Sequence, residues 1–533
     1  MTSTRTDLKR GALLGAVTSL PVMVLAYLGD QLARLPFLPF DVFDWMARAL
    51  PGDLITLGID SIVAVITALN LGDTSSTAKL IEKSIALGQF AALGAVFGAI
   101  LMLRQRRATS PPWSDGLLGG TLLWIGALAV EVSLGFPAPG VLASSIWLAV
   151  LLLGWGAFLD WSARRVLSAE PEEEGLARRG FLALVSGGAA VAALAGLGLS
   201  RLLQQEEQST ANLPAEAEMG ETSGPAASPP EGVLEARIEP APGTRPELTS
   251  NAEFYRIDIN TSPPVVDAET WELTLDGLVR NPLTLSMQEL LAYPATSQVL
   301  TMQCISNPIG GDLTSTSRWT GVPFHVLLEE AGVHRDAKEV YIESADGFYE
   351  SVSLEVARDP RVLLVYAMNG VPLPVEHGFP LRIYIPNRYG MKQPKWITTM
   401  EVIDEEGPGY WVDRGWSEEA MARTTSVVDN AAVSARDPET GMVPVGGIAW
   451  SGDEGISKVE VQIDGGPWEE AQLRTPPLSP LSWVQWRYEW DAEGGAHTIR
   501  VRAYDGNGEL QILEESGARP DGATGVHSFH TMV

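Results

Sequence analysis

The distribution of hydrophobic residues divides the chain into a very apolar N-terminal third and a mixed remainder. Five stretches are long and apolar enough to cross a bilayer, which takes about 20 residues. They are residues 11–29, 85–103, 116–134, 141–160 and 180–199. The pattern predicts an all-α transmembrane bundle over residues 1–200.

A sixth apolar stretch, residues 54–70, is a weaker candidate for a membrane span. It is shorter, carries Asp60 at its centre and follows Pro51 and Gly52. A charged side chain in the middle of a span is costly. We therefore expect an amphipathic or re-entrant segment here, and no crossing.

Three clusters of basic residues orient the bundle. They are Arg5, Lys9 and Arg10 before the first stretch, Arg104, Arg106 and Arg107 after the second, and Arg164 and Arg165 after the fourth. The positive-inside rule places all three in the cytoplasm, and five crossings satisfy them together. The C-terminal half is then expected on the extracytoplasmic side of the cell membrane.

The fifth stretch follows Arg178 and Arg179, and the sequence ARRGFL resembles a twin-arginine export signal placed inside the chain. The alternative is one more cytoplasmic anchor. Both interpretations place the following domain outside the cytoplasm.

The membrane part has little chemistry of its own. All six histidines lie at residue 325 or later, so no haem held by two histidines is expected between the helices. Glu131 lies inside the third stretch, where an acid is usually functional. Because it is about one turn from the outer end, we expect its carboxylate to reach interfacial water, and a functional acid is the alternative. We interpret this part as an anchor, with the docking of a separate electron carrier as an option.

Composition predicts three further regions after the bundle. Residues 201–250 are rich in Glu, Ala, Pro, Ser and Gly, which indicates a flexible linker. Residues 251–423 mix period-two strands with helices, which is typical of an α+β domain. Residues 424–533 show short alternating strands separated by Gly and Asp turns, which predicts an all-β sandwich of immunoglobulin type.

Charge and cysteine content exclude several classes of protein. With 37 basic and 66 acidic residues the net charge is −29, which argues against a nucleic-acid partner. The single cysteine cannot form an internal disulfide. Thiolate-held iron–sulfur clusters and covalent c-type haem are excluded because both need more than one thiol.

That cysteine, Cys304, stands where a hydrophobic run meets a turn. Val299, Leu300 and Met302 precede it, and NPIGG follows it at residues 307–311. The thiol is therefore expected at a strand end beside a loop, where a thiolate can meet a metal or substrate. The alternative is a small buried core residue.

Three segments carry a resemblance to a known family. QCISNPIGGDL, SRWTGVPFHVLLEEAGV and VLLVYAMNGVPLPVEHGFPLRIYIPNRYGMKQPKWITTMEV resemble the sulfite-oxidase family of molybdopterin enzymes in the right order, and the resemblance runs from residue 250 to the C-terminus. It implies a molybdenum–molybdopterin cofactor, with the Cys304 thiolate as a ligand to molybdenum. It also implies that the C-terminal sandwich is a dimerisation domain and that the chain forms a homodimer.

The resemblance implies the other site residues. Arg256, in an F-Y-x-R stretch, and Trp319 are expected at the cofactor and substrate pocket, and the expected cofactor-binding residues are Asn307, His377, Arg382, Gly390, Lys392 and Lys395. Guanidinium and ammonium groups suit an anionic pterin phosphate. The alternatives are a surface charge for Arg256, core packing for Trp319 and a solvated basic loop for the rest.

One departure concerns the substrate. Sulfite-oxidising members carry Asn-Arg-Arg after the metal cysteine, whereas this chain has Asn307-Pro308-Ile309. The second arginine helps to hold the sulfite dianion, and an apolar side chain there removes a charge-assisted contact. Sulfite is therefore in doubt, while the molybdenum chemistry is not.

We therefore expect a membrane-anchored molybdopterin oxidoreductase that performs a two-electron oxidation or oxygen-atom transfer on a small sulfur or nitrogen compound. Electrons would be exchanged with a separate external or membrane carrier. Two alternatives remain: a reductase of the sulfoxide type, and a non-catalytic membrane-tethered interaction module that has lost its metal.

The orientation is directly testable. Reporter fusions after Gly72 and after Arg107 are expected to lie outside and inside the cytoplasm, respectively, because residues 85–103 cross and residues 54–70 do not. Finding both reporters on the same side would contradict the count of five crossings.

Overall fold

The computed structural model describes residues 2–69, 71–107, 111–135, 140–168 and 238–533. The fifth predicted span, the Arg178-Arg179 pair and linker residues 201–237 lie outside these residues. The chain forms two compact units. The first lies within Met1–Leu50, Ala78–Leu213 and Ile259–Ser262, and the second within Pro51–Thr77, Pro214–Asp258 and Pro263–Val533.

Long helices account for most of the first unit. They are α1 (Thr2–Ala33), α2 (Leu38–Ala49), α4 (Thr74–Arg107), whose first residues belong to the second unit, α5 (Ser114–Leu134) and α6 (Gly140–Ser168). Among the described residues, four helices are long and apolar enough to cross a membrane: Thr6–Ala33, Thr74–Gln105, Ser114–Leu134 and Gly140–Leu167. Each contains one of the first four predicted spans.

Glycines allow the helices of this unit to pack closely. A Cβ on Gly116 of α5 or on Gly156 of α6 would collide with the carbonyl oxygen of the other glycine. Small residues at such crossings let helix backbones touch, which replaces the missing hydrophobic driving force inside a bilayer.

The second unit includes α3 (Gly52–Leu69), which covers the sixth apolar stretch. Gly52 lies against the backbone of Arg414, and the Asp53 carboxylate lies 3.3 Å from the Arg519 guanidinium. The stretch is therefore helical, and its N-terminal end packs on Arg414 and Arg519 of the same unit. That it does not cross the membrane stays a prediction.

Two sheets form the α+β part of the second unit. One has the order β2-β1-β10-β5-β6 and is antiparallel except for the pair β1–β10, and the other has the order β3-β4-β7-β8 with β9 paired to β7. The strands of the first sheet are β1 (Glu272–Gly277), β2 (Leu283–Ser286), β5 (Glu339–Ser344), β6 (Tyr349–Ser353) and β10 (Ile397–Ile403). Those of the second sheet are β3 (Thr296–Gln303), β4 (Thr314–Pro323), β7 (Leu363–Met368), β8 (Val371–Pro372) and β9 (Arg382–Tyr384).

Short helices connect these strands: α7 (Met287–Leu291), α8 (Phe324–Ala331) and α9 (Leu354–Ala357). The sequence specifies the start of α7 locally, because Ser286 and Glu289 cap it reciprocally.

The C-terminal part contains two four-stranded antiparallel sheets, with the orders β11-β12-β16-β15 and β14-β13-β17-β18. Their strands are β11 (Thr425–Ala431), β12 (Met442–Trp450), β13 (Ile456–Ile463), β14 (Trp468–Glu470), β15 (Gln472–Leu473), β16 (Val484–Asp491), β17 (Ala496–Asp505) and β18 (His527–Met532). Residues of both sheets, among them Val445, Trp486, Val461 and Val501, share one core. The predicted fold class is confirmed: an all-α apolar bundle, an α+β domain and an all-β sandwich.

The linker differs from expectation at its C-terminal end. Residues 238–250 pack on the folded part of the chain: the Arg245 N–H donates to Asp429 Oδ2 at 2.9 Å and the Thr249 N–H donates to the carbonyl of Thr316 at 2.7 Å. Low hydrophobicity suggested flexibility, but backbone hydrogen bonds to neighbouring strands order this stretch. The prediction of a linker as far as residue 250 was wrong for these residues.

Candidate active site around Cys304

Cys304 follows the last residue of β3, as its sequence predicted. Its N–H donates to the carbonyl of Leu313 at 2.9 Å, and its carbonyl accepts the N–H of Asn307 at 3.0 Å. The thiol sulfur lies 3.0 Å from the Ser306 hydroxyl. The residue as a whole is only partly buried. Desolvation raises the pKa of the thiol, and the Ser306 hydrogen bond opposes that shift. Without a bound cation the thiol therefore stays protonated at neutral pH.

The loop from Cys304 to Leu313 is held from several sides. The Asn307 side-chain oxygen accepts the Leu313 N–H at 2.9 Å, and the Asp312 carboxylate accepts the N–H of Thr74, the first residue of α4, at 2.8 Å. Gly310 has φ +79° and lies against the His527 ring of β18. Asn307, predicted to bind the cofactor, thus shapes the loop that presents the thiol.

Aromatic residues form one wall behind Cys304. Phe254, Tyr255 and Trp319 are buried in the same cluster as Met302, and Cys304 packs against this cluster. The Phe254 and Trp319 rings meet edge to face at 5.3 Å. Trp319, predicted at the pocket, is fully buried, so its side chain supports the site from within.

Gly390 begins a 3-10 helix (Gly390–Lys392) that faces this wall. A Cβ at residue 390 would lie 2.8 Å from the Tyr255 hydroxyl, so only glycine fits there without displacing Tyr255. The Cys304 and Arg382 side chains both act electrostatically on the Tyr255 hydroxyl, which brings three parts of the chain to one place.

Arg382, the first residue of β9, is a buried cation. Its side chain donates to the carbonyl of His377 at 3.2 Å and to the sulfur of Met302 at 3.2 Å, while its Nε has no partner among the described residues. The guanidinium lies 5.0 Å from the centre of the Trp319 ring. Desolvation lowers the pKa of Arg382 to about 10, so it remains charged at neutral pH.

Arg256 and Lys395 meet at one carboxylate. Asp258 accepts hydrogen bonds from the side chains of both residues, and the Lys395 ammonium also donates to the carbonyls of Ile257 and Glu376, at 3.2 and 3.0 Å. Burial lowers the pKa of Lys395 to about 8, although Asp258 opposes this shift. Two cations and one anion leave a net positive charge beside Arg382.

His377 completes this cationic face as a neutral donor. Its Nε2 lies 3.0 Å from the carbonyl oxygen of Asn251. A carbonyl only accepts, so Nε2 carries the proton and Nδ1 has the free lone pair. Desolvation and the nearby Lys395 lower the pKa of His377 to about 4, so the ring is neutral at physiological pH.

Lys392, also predicted to bind the cofactor, has a different partner. Its ammonium lies 2.7 Å from the Glu350 carboxylate. Both residues line a cavity of about 480 Å³ that contains none of the other predicted site residues. The structure therefore brings together Cys304, Arg256, Trp319, His377, Arg382, Gly390 and Lys395, whereas Lys392 is engaged elsewhere.

The sequence reasoning missed three residues that build this site, Tyr255, Asp258 and Met302, and it also missed Glu350, the partner of Lys392 outside the site. Tyr255 and Asp258 flank Arg256 in the F-Y-x-R stretch, so their position was a usable signal. Met302 and Glu350 gave none, because a thioether next to an arginine and a carboxylate under a lysine are consequences of tertiary packing.

The site offers donors that suit an anionic cofactor. Three buried donor atoms have no hydrogen-bond partner among the described residues: Arg382 Nε, Arg256 Nη2 and Trp319 Nε1. Buried donors are rarely left unpaired, and a soft thiolate suits molybdenum. The residues present therefore fit a molybdopterin group.

The Glu350–Lys392 pair predicts a pH effect on stability. Burial raises the pKa of Glu350 from 4.5 to about 7, although Lys392 opposes this shift. The raised pKa means that Glu350 contributes stability below about pH 4.5, which is lost as pH rises through about 7. The shift corresponds to roughly 3 kcal/mol. Glu350→Gln should remove this slope.

The measurement is chemical denaturation of the wild type and of Glu350→Gln between about pH 4.5 and 7. The difference between the two pH dependences of stability reports on Glu350 alone, because groups with the opposite pH dependence, such as His377, are common to both proteins. Glu355→Gln, at an exposed residue of α9, is the matched control and should keep the wild-type slope. Parallel curves for wild type and Glu350→Gln would contradict the assignment.

Comparison with known proteins agrees with this geometry. The sequence model of the family described as oxidoreductase molybdopterin binding domain matches residues 260–411. The chain is 28% identical over 312 residues to mitochondrial sulfite oxidase of Homo sapiens, covering 49% of this chain and 57% of that protein. It is 33% identical over 152 residues to the YedZ1 subunit assigned to protein-methionine-sulfoxide reductase of Azospira oryzae, covering 28% and 56%.

Among solved structures, the sulfane dehydrogenase SoxCD of Paracoccus pantotrophus is similar with a TM-score of 0.48 and 20% identity, over 60% of this chain and 94% of that chain. The chain spans slightly more than half the length of these first curated relatives. The cysteine loop, the cationic face and the family match agree. Residues 260–411, which include Cys304 and Arg382, match the family described as oxidoreductase molybdopterin binding domain.

Proposed function

We propose that the chain is a membrane-attached molybdenum-cofactor oxidoreductase that acts on a small sulfur or nitrogen compound outside the cytoplasm. Electrons pass to or from a separate carrier. The observation that carries the proposal is the partly buried Cys304, packed against the cluster whose Met302 sulfur accepts from a buried arginine, Arg382. The Nε of that arginine has no partner among the described residues. In the part of the chain that the structure describes, four helices are long and apolar enough to span a bilayer, which supports the attachment.

The residues divide the work between metal and pterin. Cys304 would ligate molybdenum, which supplies two-electron and oxygen-atom-transfer chemistry when bound. Arg382, Arg256 and Lys395 would hold the anionic pterin phosphate, because charge-assisted hydrogen bonds are about twice as strong as neutral ones.

Neutral groups would orient the cofactor. The His377 ring, fixed by the Asn251 carbonyl, presents an unprotonated Nδ1, which can accept a hydrogen bond but not give one. Gly390 keeps the backbone close to the Tyr255 hydroxyl. Since Tyr255 is buried and its pKa is raised well above the ordinary value by desolvation, its hydroxyl remains a proton donor.

The substrate is the finer part of the proposal. Ile309, half-buried in the loop after Cys304, stands where sulfite-oxidising enzymes carry an anion-binding arginine. An uncharged substrate oxygen needs no such cation. Reduction of a sulfoxide is therefore the second candidate, and the similarity to the YedZ1 subunit favours it.

Cys304→Ser tests the metal site. The full-length protein is made in a host that synthesises molybdopterin, and molybdenum, pterin and turnover with a redox dye are measured. The variant should lose turnover and retain most of the pterin, because the proposed phosphate contacts lie on other residues. Ser306→Ala, which removes only the neighbour of the thiol, should keep the metal. A Cys304→Ser protein with wild-type turnover would refute the ligand role.

Ile309→Arg tests the substrate. Restoring one charge-assisted contact is worth about 1.5–3 kcal/mol, or roughly a ten- to more than a hundredfold gain in kcat/KM for sulfite. Ile309→Met is the neutral control and should give no gain. Methionine sulfoxide reduction is assayed in parallel. If the wild type already oxidises sulfite efficiently and the arginine adds nothing, the charge argument fails.

A further inference from the structure

Glu131 of α5 lies in an unexpected environment. Near the outer end of a predicted span, its carboxylate was expected to reach interfacial water. Instead the residue is 2% exposed, and protein atoms cover it. A buried acid in a membrane segment needs a specific partner, because an isolated charge there is costly.

The neighbouring group is Asp41 of α2, whose side chain interacts with that of Glu131, and each of the two carboxyl groups has a buried oxygen without a hydrogen-bond partner among the described residues. Carboxylate oxygens can only accept hydrogen bonds, so a bond between two carboxyl groups needs a proton on one of them. We propose that Asp41 and Glu131 form a carboxyl pair that binds one shared proton within the first unit of the chain.

The unpartnered oxygens of the two side chains support a single charge. Asp41 Oδ2 and Glu131 Oε1 are buried and have no hydrogen-bond partner among the described residues. Two ionised carboxylates with unsatisfied oxygens would both lack solvation. One shared proton removes one of the two charges and supplies the hydrogen bond between them.

Neighbouring acids favour the protonated form. Asp30 of α1 and Asp44 of α2 both repel a charge on Asp41. Asp44 is itself compensated, since it accepts the N–H of Thr261 at 2.9 Å and lies near Arg48 and Lys79. Like charges in one site disfavour ionisation of the carboxyl groups that have the fewest compensating donors. Here those groups are Asp41 and Glu131.

Apolar packing strengthens this repulsion. Leu38 on α2 and Ala127 on α5, one turn from Glu131, are buried in the same cluster, with Phe37 packed against it. Electrostatic interactions grow as the effective dielectric constant falls. The pair is a proton site that works independently of the molybdenum chemistry proposed above.

Dicyclohexylcarbodiimide is the probe, because it reacts with protonated carboxyl groups in apolar surroundings. The purified full-length protein in detergent is treated at a pH of about 7, where ordinary carboxyl groups with pKa values near 4 are ionised, and its peptides are analysed by mass spectrometry. One adduct on Asp41 or Glu131 is expected. If neither residue is labelled, the proposal fails.

The isosteric variants separate a shared proton from simple burial. In Asp41→Asn the amide donates to the Glu131 carboxylate, so no proton is needed and labelling of Glu131 should fall at least tenfold. Glu131→Gln should protect Asp41 in the same way. Asp60→Asn, at an exposed residue of α3, is the matched control and should leave labelling unchanged. Labelling of Glu131 that survives Asp41→Asn overturns the shared proton.

Infrared spectroscopy provides a readout that does not depend on the probe. The wild type should retain the carbonyl stretch of a protonated carboxyl group at a pH of about 7, and the Asp41→Asn/Glu131→Gln double variant should lose it. A wild-type spectrum without that band would also overturn the proposal.

Discussion

The burial of the Arg382 guanidinium in the cluster that packs against Cys304 constrains the rest of the molybdopterin-binding domain. Arg382 is 3% exposed, and its guanidinium contacts a carbonyl, a thioether and an aromatic face. No carboxylate of the described residues forms an ion pair with it. Burying a cation without a carboxylate is costly, and the surrounding sheet has to hold it against that cost. An anionic group bound at the site would offset this cost of burying the guanidinium. The stability of the domain is therefore linked to the occupancy of the site.

The residues of the site come from several strands that are distant in sequence. β9 supplies Arg382, β3 leads to Cys304, and both strands belong to the sheet in which β4 supplies Trp319. Asp258 lies before the first strand of the domain, yet it balances Lys395, 137 residues later. Long-range contacts of this kind make the site a property of the folded domain and of no single segment.

Local chemistry predicted the parts that local chemistry controls. The strand ending at Cys304 and the turn after it follow from residues close in sequence. Helix lengths and the period-two strands gave the three-part fold class for the same reason. Resemblance to a family gave Arg256, His377 and Arg382, and the structure brings them together.

The misses concern tertiary partners. Lys392 belongs to the same basic segment as Lys395, but its ammonium forms an ion pair with Glu350, 42 residues earlier. The position of Glu131 near the end of a predicted span suggested an interfacial acid, but in the structure its side chain is buried beside α2. The composition of residues 238–250 suggested flexibility. Composition does not reveal the backbone hydrogen bonds that order these residues, because such bonds do not depend on side-chain hydrophobicity. In each case the deciding contact joins residues whose pairing no local pattern encodes.

The contact between Gly310 and His527 has a consequence for how the site is assembled. The histidine that supports the cysteine loop is synthesised 223 residues after Cys304. At about 5–20 residues per second, the ribosome needs roughly 10–45 s to supply it. The thiol loop therefore spends that interval without one of its supports, and maturation of the site comes after the last β-strand has paired.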